Sequence, residues 1–271
     1  MNLFDIANKV ILITGGGGIL GGEMAHYLLN NGATVVILGH KDDSVDAAIA
    51  RLKKISDKVS GFVCDVLDEA MLKQVADKII KKHGTIDVLI NAAGGNMPGA
   101  TIGVDQTIFD LNIDHFKKVV DLNLFGSILP ALVFGKEMVK NKKGVIINIS
   151  SMTAQSAITR VVGYSASKAA IDNFTKWLAV ELALKFGEGL RVNAIAPGFF
   201  IGNQNRDLLI DKETGKYTDR GDTIIRNTPM KRFGETDELN GTIHYLCAEA
   251  SKFVTGSVLP IDGGFSAFSG V

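Results

Sequence analysis

The sequence predicts an α/β fold of the Rossmann type, a doubly wound parallel sheet of about seven strands flanked by helices. Three observations predict it. Apolar runs of roughly four to six residues alternate with longer segments of 3.6-residue period. The alternation continues through all 271 residues without a composition shift or low-complexity linker. The first strand runs directly into four consecutive glycines at 15–18. Strands joined by helices are βαβ units, and right-handed crossovers turn them into a parallel sheet covered on both faces.

Residues 9–14 (KVILIT) form a short β-branched run that ends in the glycines. Apolar positions at helical spacing follow over 19–31 and stop at Asn31-Gly32. Strand composition returns at 33–38, a polar helix pattern at 44–55 and a third strand at 60–64. The series continues with a helix near 68–83, a strand at 86–91, a long helix over 114–141 and a strand at 145–149. Residues 164–186 predict a helix, 191–195 a strand, 236–248 a helix and 257–261 the last strand. Two stretches are irregular, 94–113 and 198–227. The second is too long for a plain connection and reads as a substrate loop or lid within one catalytic domain spanning 1–271.

Composition excludes several functions. Lys plus Arg and Asp plus Glu both number 29, for a net charge of zero, so the basic excess used to bind phosphate backbones is missing and no nucleic-acid partner is expected. Apolar residues at 46% and charged residues at 21% suit a globule that buries a core. No run approaches the ~18 uninterrupted apolar residues of a membrane span, and no secretory signal pattern opens the chain. We expect no membrane association and a cytoplasmic location. Cys64 and Cys247 show no metal-type spacing and read as reduced thiols. None of the five histidines (26, 40, 83, 115, 244) pairs with another ligand at metal spacing, and no metal is expected.

Gly16, Gly18 and Gly21 satisfy G-x-G-x-x-G. Four consecutive glycines satisfy many templates, and a flexible turn would look the same. Their place in the first strand–turn–helix is what a dinucleotide site requires: tight turning, and close approach of pyrophosphate to the helix-start N–H groups. Ligands of open α/β sheets sit outside the carboxyl ends of the strands. Those ends read Asp65 and Val66 after the third strand and Asn91-Ala92-Ala93-Gly94 after the fourth. Ser150-Ser151 follow the fifth and Pro197-Gly198 the sixth. Together they outline a crevice.

Tyr164-Ser165-Ala166-Ser167-Lys168 places a phenol and an ammonium one helical turn apart. A free tyrosine, with a pKa of about 10, exchanges protons poorly at neutral pH, and a nearby cation is expected to lower that value. Ser151 can donate a hydrogen bond to a carbonyl or alkoxide oxygen. Tyr-x-x-x-Lys alone is usually a surface pair; beside the glycine loop and Ser151 it reads as catalytic. A serine hydrolase is the poorer reading, because Gly163-Tyr164-Ser165-Ala166-Ser167 lacks the last glycine of G-x-S-x-G and falls inside a helix. A nucleotide kinase lacks its G-x-x-x-x-G-K-[ST] loop. A catalytically idle dinucleotide-binding sensor would not need Ser151, Tyr164 and Lys168 together.

Thr14-Gly15…Gly21, Asp65, Asn91-Ala92-Ala93-Gly94, Asn123, Ser151, Tyr164-x-x-x-Lys168 and Pro197-Gly198 resemble the successive motifs of the short-chain dehydrogenases/reductases. The likeness spans essentially the whole chain, including Asp262-Gly263-Gly264. Within that family, the segments 15–22 (GGGGILGG), 93–96 (AGGN), 196–200 (APGFF) and 263–271 (GGFSAFSGV) resemble the D-mannonate oxidoreductase (fructuronate reductase) group. The resemblance implies hydride transfer between a nicotinamide cofactor, NAD or NADP, and a carbonyl or hydroxyl carbon of a sugar acid. Gluconate 5-dehydrogenase-like and 3-oxoacyl reductase-like enzymes are the alternatives within the family. It implies that Tyr164 is the general acid/base, that Lys168 tunes it and holds the ribose, and that Ser151 orients the substrate oxygen. It further implies that Asn123 bends its helix and holds a proton-relay water. Asp65 would meet adenine, and Asn91 with Gly94 would border the cofactor, alongside Gly15, Gly17, Gly18, Ile19, Leu20, Val66, Ala92, Ala93, Pro197 and Gly198. Two positions depart from the family pattern: Ile19 stands at its middle loop glycine, and Gly202 at its threonine after Pro-Gly.

An acid at the end of the second strand would bond the ribose 2′-hydroxyl. Here Leu38-Gly39-His40-Lys41 brings no acid until Asp42. Gly39 leaves space, and His40 with Lys41 suit a 2′-phosphate, which favours NADP. An inward Asp42 or Asp43 would favour NAD, and dual use is open. Substrate contacts are expected from Asn96, Ser151, Met152, Arg160, Asn203 and Arg206, arginine being suited to a carboxylate. In the helix at 164–186, Ile171, Phe174, Leu178 and Leu182 line one face. Ala166, Ala169, Trp177, Val180 and Leu184 line another. A helix apolar on both sides needs two covers, so a homo-oligomer, dimer or tetramer, is expected.

Overall fold

The computed structural model describes residues 2–202 and 206–270. The strands are β1 (Val10–Thr14), β2 (Thr34–Gly39), β3 (Val59–Val63), β4 (Val88–Asn91), β5 (Gly144–Ile149), β6 (Leu190–Pro197) and β7 (Val258–Ile261). They form one parallel sheet in the order β3-β2-β1-β4-β5-β6-β7, the Rossmann-like arrangement expected. Helices α1 (Ile19–Asn30), α2 (Asp42–Leu52), α3 (Glu69–His83), α4 (Ile113–Val120), α5 (Gly126–Lys140) and α6 (Val162–Phe186) follow the successive strands. The short α7 (Arg206–Leu209), α8 (Asp219–Asn227) and α9 (Asn240–Cys247) lie between β6 and β7.

Every residue of β1, β5 and β6 is buried, because helices cover both faces. Alternate side chains enter opposite layers. Ile11 and Ile13 join a core with α1, α2 and α9, while Val10 and Leu12 join one with α3, α5 and α6. The change in winding direction falls between β1 and β4, where the carboxyl ends of neighbouring strands part and leave a crevice.

The single helix expected over 114–141 is interrupted. One π turn, Asp121–Phe125, separates α4 from α5. Its cause is local: the Asn123 amide donates to the Val119 carbonyl at 2.8 Å and to the Gly95 carbonyl at 2.7 Å, inserting a side chain into the helical ladder. By length and composition Ile113–Lys140 is apolar enough to cross a membrane, but Val119, Ala131, Phe134 and Met138 within it are buried against the rest of the chain. The stretch 198–227 is less irregular than expected, since α7 and α8 lie within it. A 3-10 turn, Thr236–Leu239, replaces the start of the helix expected at 236–248.

Candidate active site

β1 delivers the chain into a glycine turn. Gly15 has φ +66°, and a Cβ there would come within 2.9 Å of the Ala92 oxygen and of the Ala93 Cα; β4 passes too close for a side chain. Thr14 Oγ1 secures the same approach, accepting hydrogen bonds from the N–H groups of Ala92 (3.1 Å) and Ala93 (3.0 Å). α1 then begins without a side-chain cap and without an acid in its first turn. Uncapped N–H groups at the positive end of a helix dipole, opening beside Gly17 and Gly18, fit a pyrophosphate. Ile19 is the first residue of α1 and is 40% exposed, so the departure from the family glycine leaves the helix start intact.

The reactive groups stand at the ends of β5 and α6. Ser151 is buried, accepts a hydrogen bond from the Thr153 N–H at 3.2 Å and lies close enough to Tyr164 to act on its titration. Lys168 is 4% exposed; its Nζ lies 5.4 Å from the centre of the Tyr164 ring and donates to the Ile149 carbonyl at 2.7 Å. Burial lowers the Lys168 pKa to about 8, and Asp172 acts in the opposite direction. Burial raises the Tyr164 pKa, against the opposing influence of the nearby Ser151 hydroxyl. This corrects the expectation that the ammonium lowers it: Nζ sits beside the ring and points at the Ile149 carbonyl, and desolvation of the phenolate prevails.

A buried network holds these groups. Asn91 donates Nδ2 to Asn148 Oδ1 at 2.9 Å and to the Ser127 carbonyl at 3.2 Å, and Asn148 donates to Thr175 Oγ1 at 2.8 Å. Ser150 donates its hydroxyl to Asp172. Asn123 also accepts from the Gly95 N–H through Oδ1 at 3.0 Å, and a Cβ on Gly94 would lie 2.7 Å from that oxygen. Ser150 and Asp172 lie next to Ser151 and one turn past Lys168; Asp172 went unnoticed in the sequence, though its spacing from Lys168 was the available signal.

Other expected residues are placed less simply. Asp65 is exposed and accepts the Leu67 N–H at 2.9 Å, while Val66 is buried. His40 and Lys41 are exposed at the end of β2. Asp42 and Asp43 occupy the first turn of α2, where the dipole accounts for them. The room expected at Gly39 is partly filled, a Cβ there lying 2.8 Å from Val45 Cγ2. Pro197 ends β6, and Gly198 packs on Asp262. Met152 is 1% exposed. Asn96 donates to Thr101 Oγ1 at 2.8 Å. Arg160 is partly buried, and Arg206 is exposed at the start of α7. Asn203 lies outside the described residues.

A nucleotide-binding sheet whose carboxyl edge joins a hydroxyl, a phenol and an ammonium belongs to the redox enzymes. The comparisons narrow this. The family model for short chain dehydrogenase matches residues 9–212, and the chain belongs to that family of nicotinamide-dependent oxidoreductases. It is 44% identical over 276 residues to an uncharacterized oxidoreductase of Bacillus subtilis (strain 168), covering 98% of each chain. The structure of a "putative D-Mannonate oxidoreductase" from Haemophilus influenza with bound NAD superposes with a TM-score of 0.91 at 44% identity, over 98% of both chains. A gluconate 5-dehydrogenase from Burkholderia cenocepacia, in complex with NADP and tartrate, superposes with a TM-score of 0.87 at 28% identity, again over 98% of both.

Proposed function

We propose that this enzyme interconverts a carbonyl and a hydroxyl carbon of a sugar acid of the D-fructuronate/D-mannonate type, with Tyr164 as general acid/base. The observation that carries the chemistry is Lys168 Nζ 5.4 Å from the centre of the Tyr164 ring, with the Ser151 hydroxyl close by. Bound in the crevice, a nicotinamide dinucleotide supplies or accepts the hydride. Ser151 holds the substrate oxygen against the Tyr164 hydroxyl. For reduction, Tyr164 gives its proton to that oxygen as negative charge develops; for oxidation, it takes the proton back. Lys168 would hold the nicotinamide ribose. The first turn of α1 would hold the pyrophosphate, and Asp65, Val66, Asn91 and Gly94 would border the rest of the cofactor. Residues 198–227 act as the lid.

The substrate class is supported by the two sugar-acid names among the structural neighbours. Assaying D-mannonate, D-fructuronate, gluconate and simple ketones tests it. Turnover of the acids is the expected outcome, and activity on uncharged ketones alone would overturn the reading. Strongest turnover of gluconate would favour the gluconate 5-dehydrogenase-like alternative. Exposed His40 and Lys41 favour NADP, while the 44% identical neighbour holds NAD. We read both as usable, with NADP preferred, and His40→Ala and Lys41→Ala should lower kcat/KM for NADP(H) more than for NAD(H).

Assembly follows from α6. Trp177, Val180 and Leu184 are 61%, 58% and 78% exposed, on the face that the sequence pattern marked for a second cover. We read the enzyme as a cytoplasmic homo-oligomer, a dimer or tetramer; light scattering that finds a monomer would reject this.

A further inference from the structure

We propose that Arg160 is a positioning residue for the reaction: its Nε clasps together the loops that leave β4 and β5, and so fixes the first turn of α6, which carries the Tyr164 phenol. This rests on the reading of Tyr164 as acid/base and deepens it. The need arises where α6 begins. Val161 gives the helix no side-chain cap, and no acid stands in its first turn. Tyr164 is the third residue of that turn, in the part of a helix that opens first when nothing holds its end.

Two contacts from the chain that follows β4 supply the hold. Arg160, four residues before the phenol, has φ 76°, a left-handed value that a non-glycine residue keeps only when its surroundings impose it. Ile102 imposes it from both sides: the Ile102 N–H donates to the Arg160 carbonyl at 3.0 Å, and Arg160 Nε donates to the Ile102 carbonyl at 2.7 Å. The second contact is apolar. A Cβ on Gly163 would lie 3.0 Å from Phe116 Cδ2, so the start of α6 packs closely on α4. The stretch that Arg160 clasps is itself anchored beside the reactive groups. Gly95 exchanges hydrogen bonds with Asn123 at 3.0 and 2.7 Å, and a Cβ on Gly94 would lie 3.5 Å from Lys168 Nζ. That stretch is thus tied at Gly95 and again at Ile102, and the second tie holds the loop from which the phenol's helix starts. Arg160 acts through the helix, not on the substrate.

Glutamine places an Nε2 donor where arginine has Nε, without the charge, and methionine places a methyl group there. Arg160→Gln and Arg160→Met are therefore compared with wild type in two ways. Hydrogen exchange of the amides of residues 165–168 in the cofactor-free protein reads the first turn of α6, and steady-state oxidation of D-mannonate with NAD reads turnover. Melting temperature and the Kd for NAD control for folding. Arg160→Gly, which relieves the left-handed φ while removing the donor, takes the place of Arg160→Met if that variant does not fold. In Arg160→Met we expect exchange to quicken and kcat to fall, each by about 10-fold, with KM for D-mannonate and Kd for NAD held within about twofold. Arg160→Gln should recover most of both losses. Unchanged exchange in Arg160→Met would overturn the clasp, and faster exchange at wild-type kcat would overturn its part in positioning. Equal losses in the two variants, or a loss confined to KM, would make the charge the working feature and overturn it as well. A wild type inactive on D-mannonate would refute the substrate reading and leave the exchange rates to decide the clasp. Failure of the Tyr164 reading shows separately, as turnover that survives Tyr164→Phe.

Discussion

Replacing Lys168 by methionine removes a charge that the fold holds at a cost. Lys168 is 4% exposed, and burial brings its pKa from 10.5 to about 8. At about 1.4 kcal/mol per pH unit, this withholds about 3 kcal/mol of stability from the wild type at pH 7. The folded pKa lies below the unfolded one, so between about pH 8 and 10.5 the unfolded chain binds more protons and wild-type stability rises with pH. Methionine has no proton to lose. Its own cost is the Ile149 carbonyl left without the lysine donor, about 1–2 kcal/mol. The cofactor-free variant should therefore be more stable than wild type at pH 7 by about 1–2 kcal/mol. That advantage should vanish and reverse as pH approaches 10.5, while turnover is lost throughout. Thermal melting of both proteins across this range reads the effect at about 2–4 °C per kcal/mol. A gap between the two that does not change with pH would refute the reasoning.

Tyr164→Phe should still bind cofactor, by fluorescence titration, but lose about 10²- to 10⁴-fold in kcat; turnover near wild type would remove the phenol from the mechanism. Asn123→Asp keeps the side-chain shape but turns an acceptor towards the Gly95 and Val119 carbonyls, now 2.7 and 2.8 Å from a donor. Its carboxyl pKa should rise, so the loss of melting temperature should be greatest at pH 7 and shrink towards pH 5; melting like wild type at both values would count against this network. Asp172→Asn removes the charge that raises the Lys168 pKa. The alkaline limb of kcat/KM for the cofactor should move to lower pH, and a limb that stays in place would show that Asp172 does not tune Lys168.

The strands, the glycine turn and the Ser151–Tyr164–Lys168 set were legible because each depends on short-range pattern: β-branched runs, glycines at a strand end, and side chains one helical turn apart. The π turn was not. The 3.6-residue pattern continues through 114–141, and the interruption comes from Asn123 reaching Gly95, a contact that only folding creates. The direction of the Tyr164 pKa was missed for a similar reason, since spacing reports the cation but not the desolvation.

The placement of the reactive groups follows from how β5 meets α6. Three successive residues at the end of that strand each bond to the helix, Asn148 to Thr175, Ile149 to Lys168 and Ser150 to Asp172, and Ser151 follows close to Tyr164. The first of these is wholly buried and the last reaches the crevice. A helix fixed to a strand at three points has little freedom to rotate, so the phenol and the serine hydroxyl are held in register before substrate arrives, which is the preorganisation that proton transfer requires. It follows that Thr175→Val, two helical turns beyond Lys168, should act on turnover through geometry alone. It removes the acceptor for Asn148 while leaving every reactive group chemically intact. The expected result is a lower kcat with an unchanged pH profile. A shifted profile would mean that the network tunes charge and does not merely hold position.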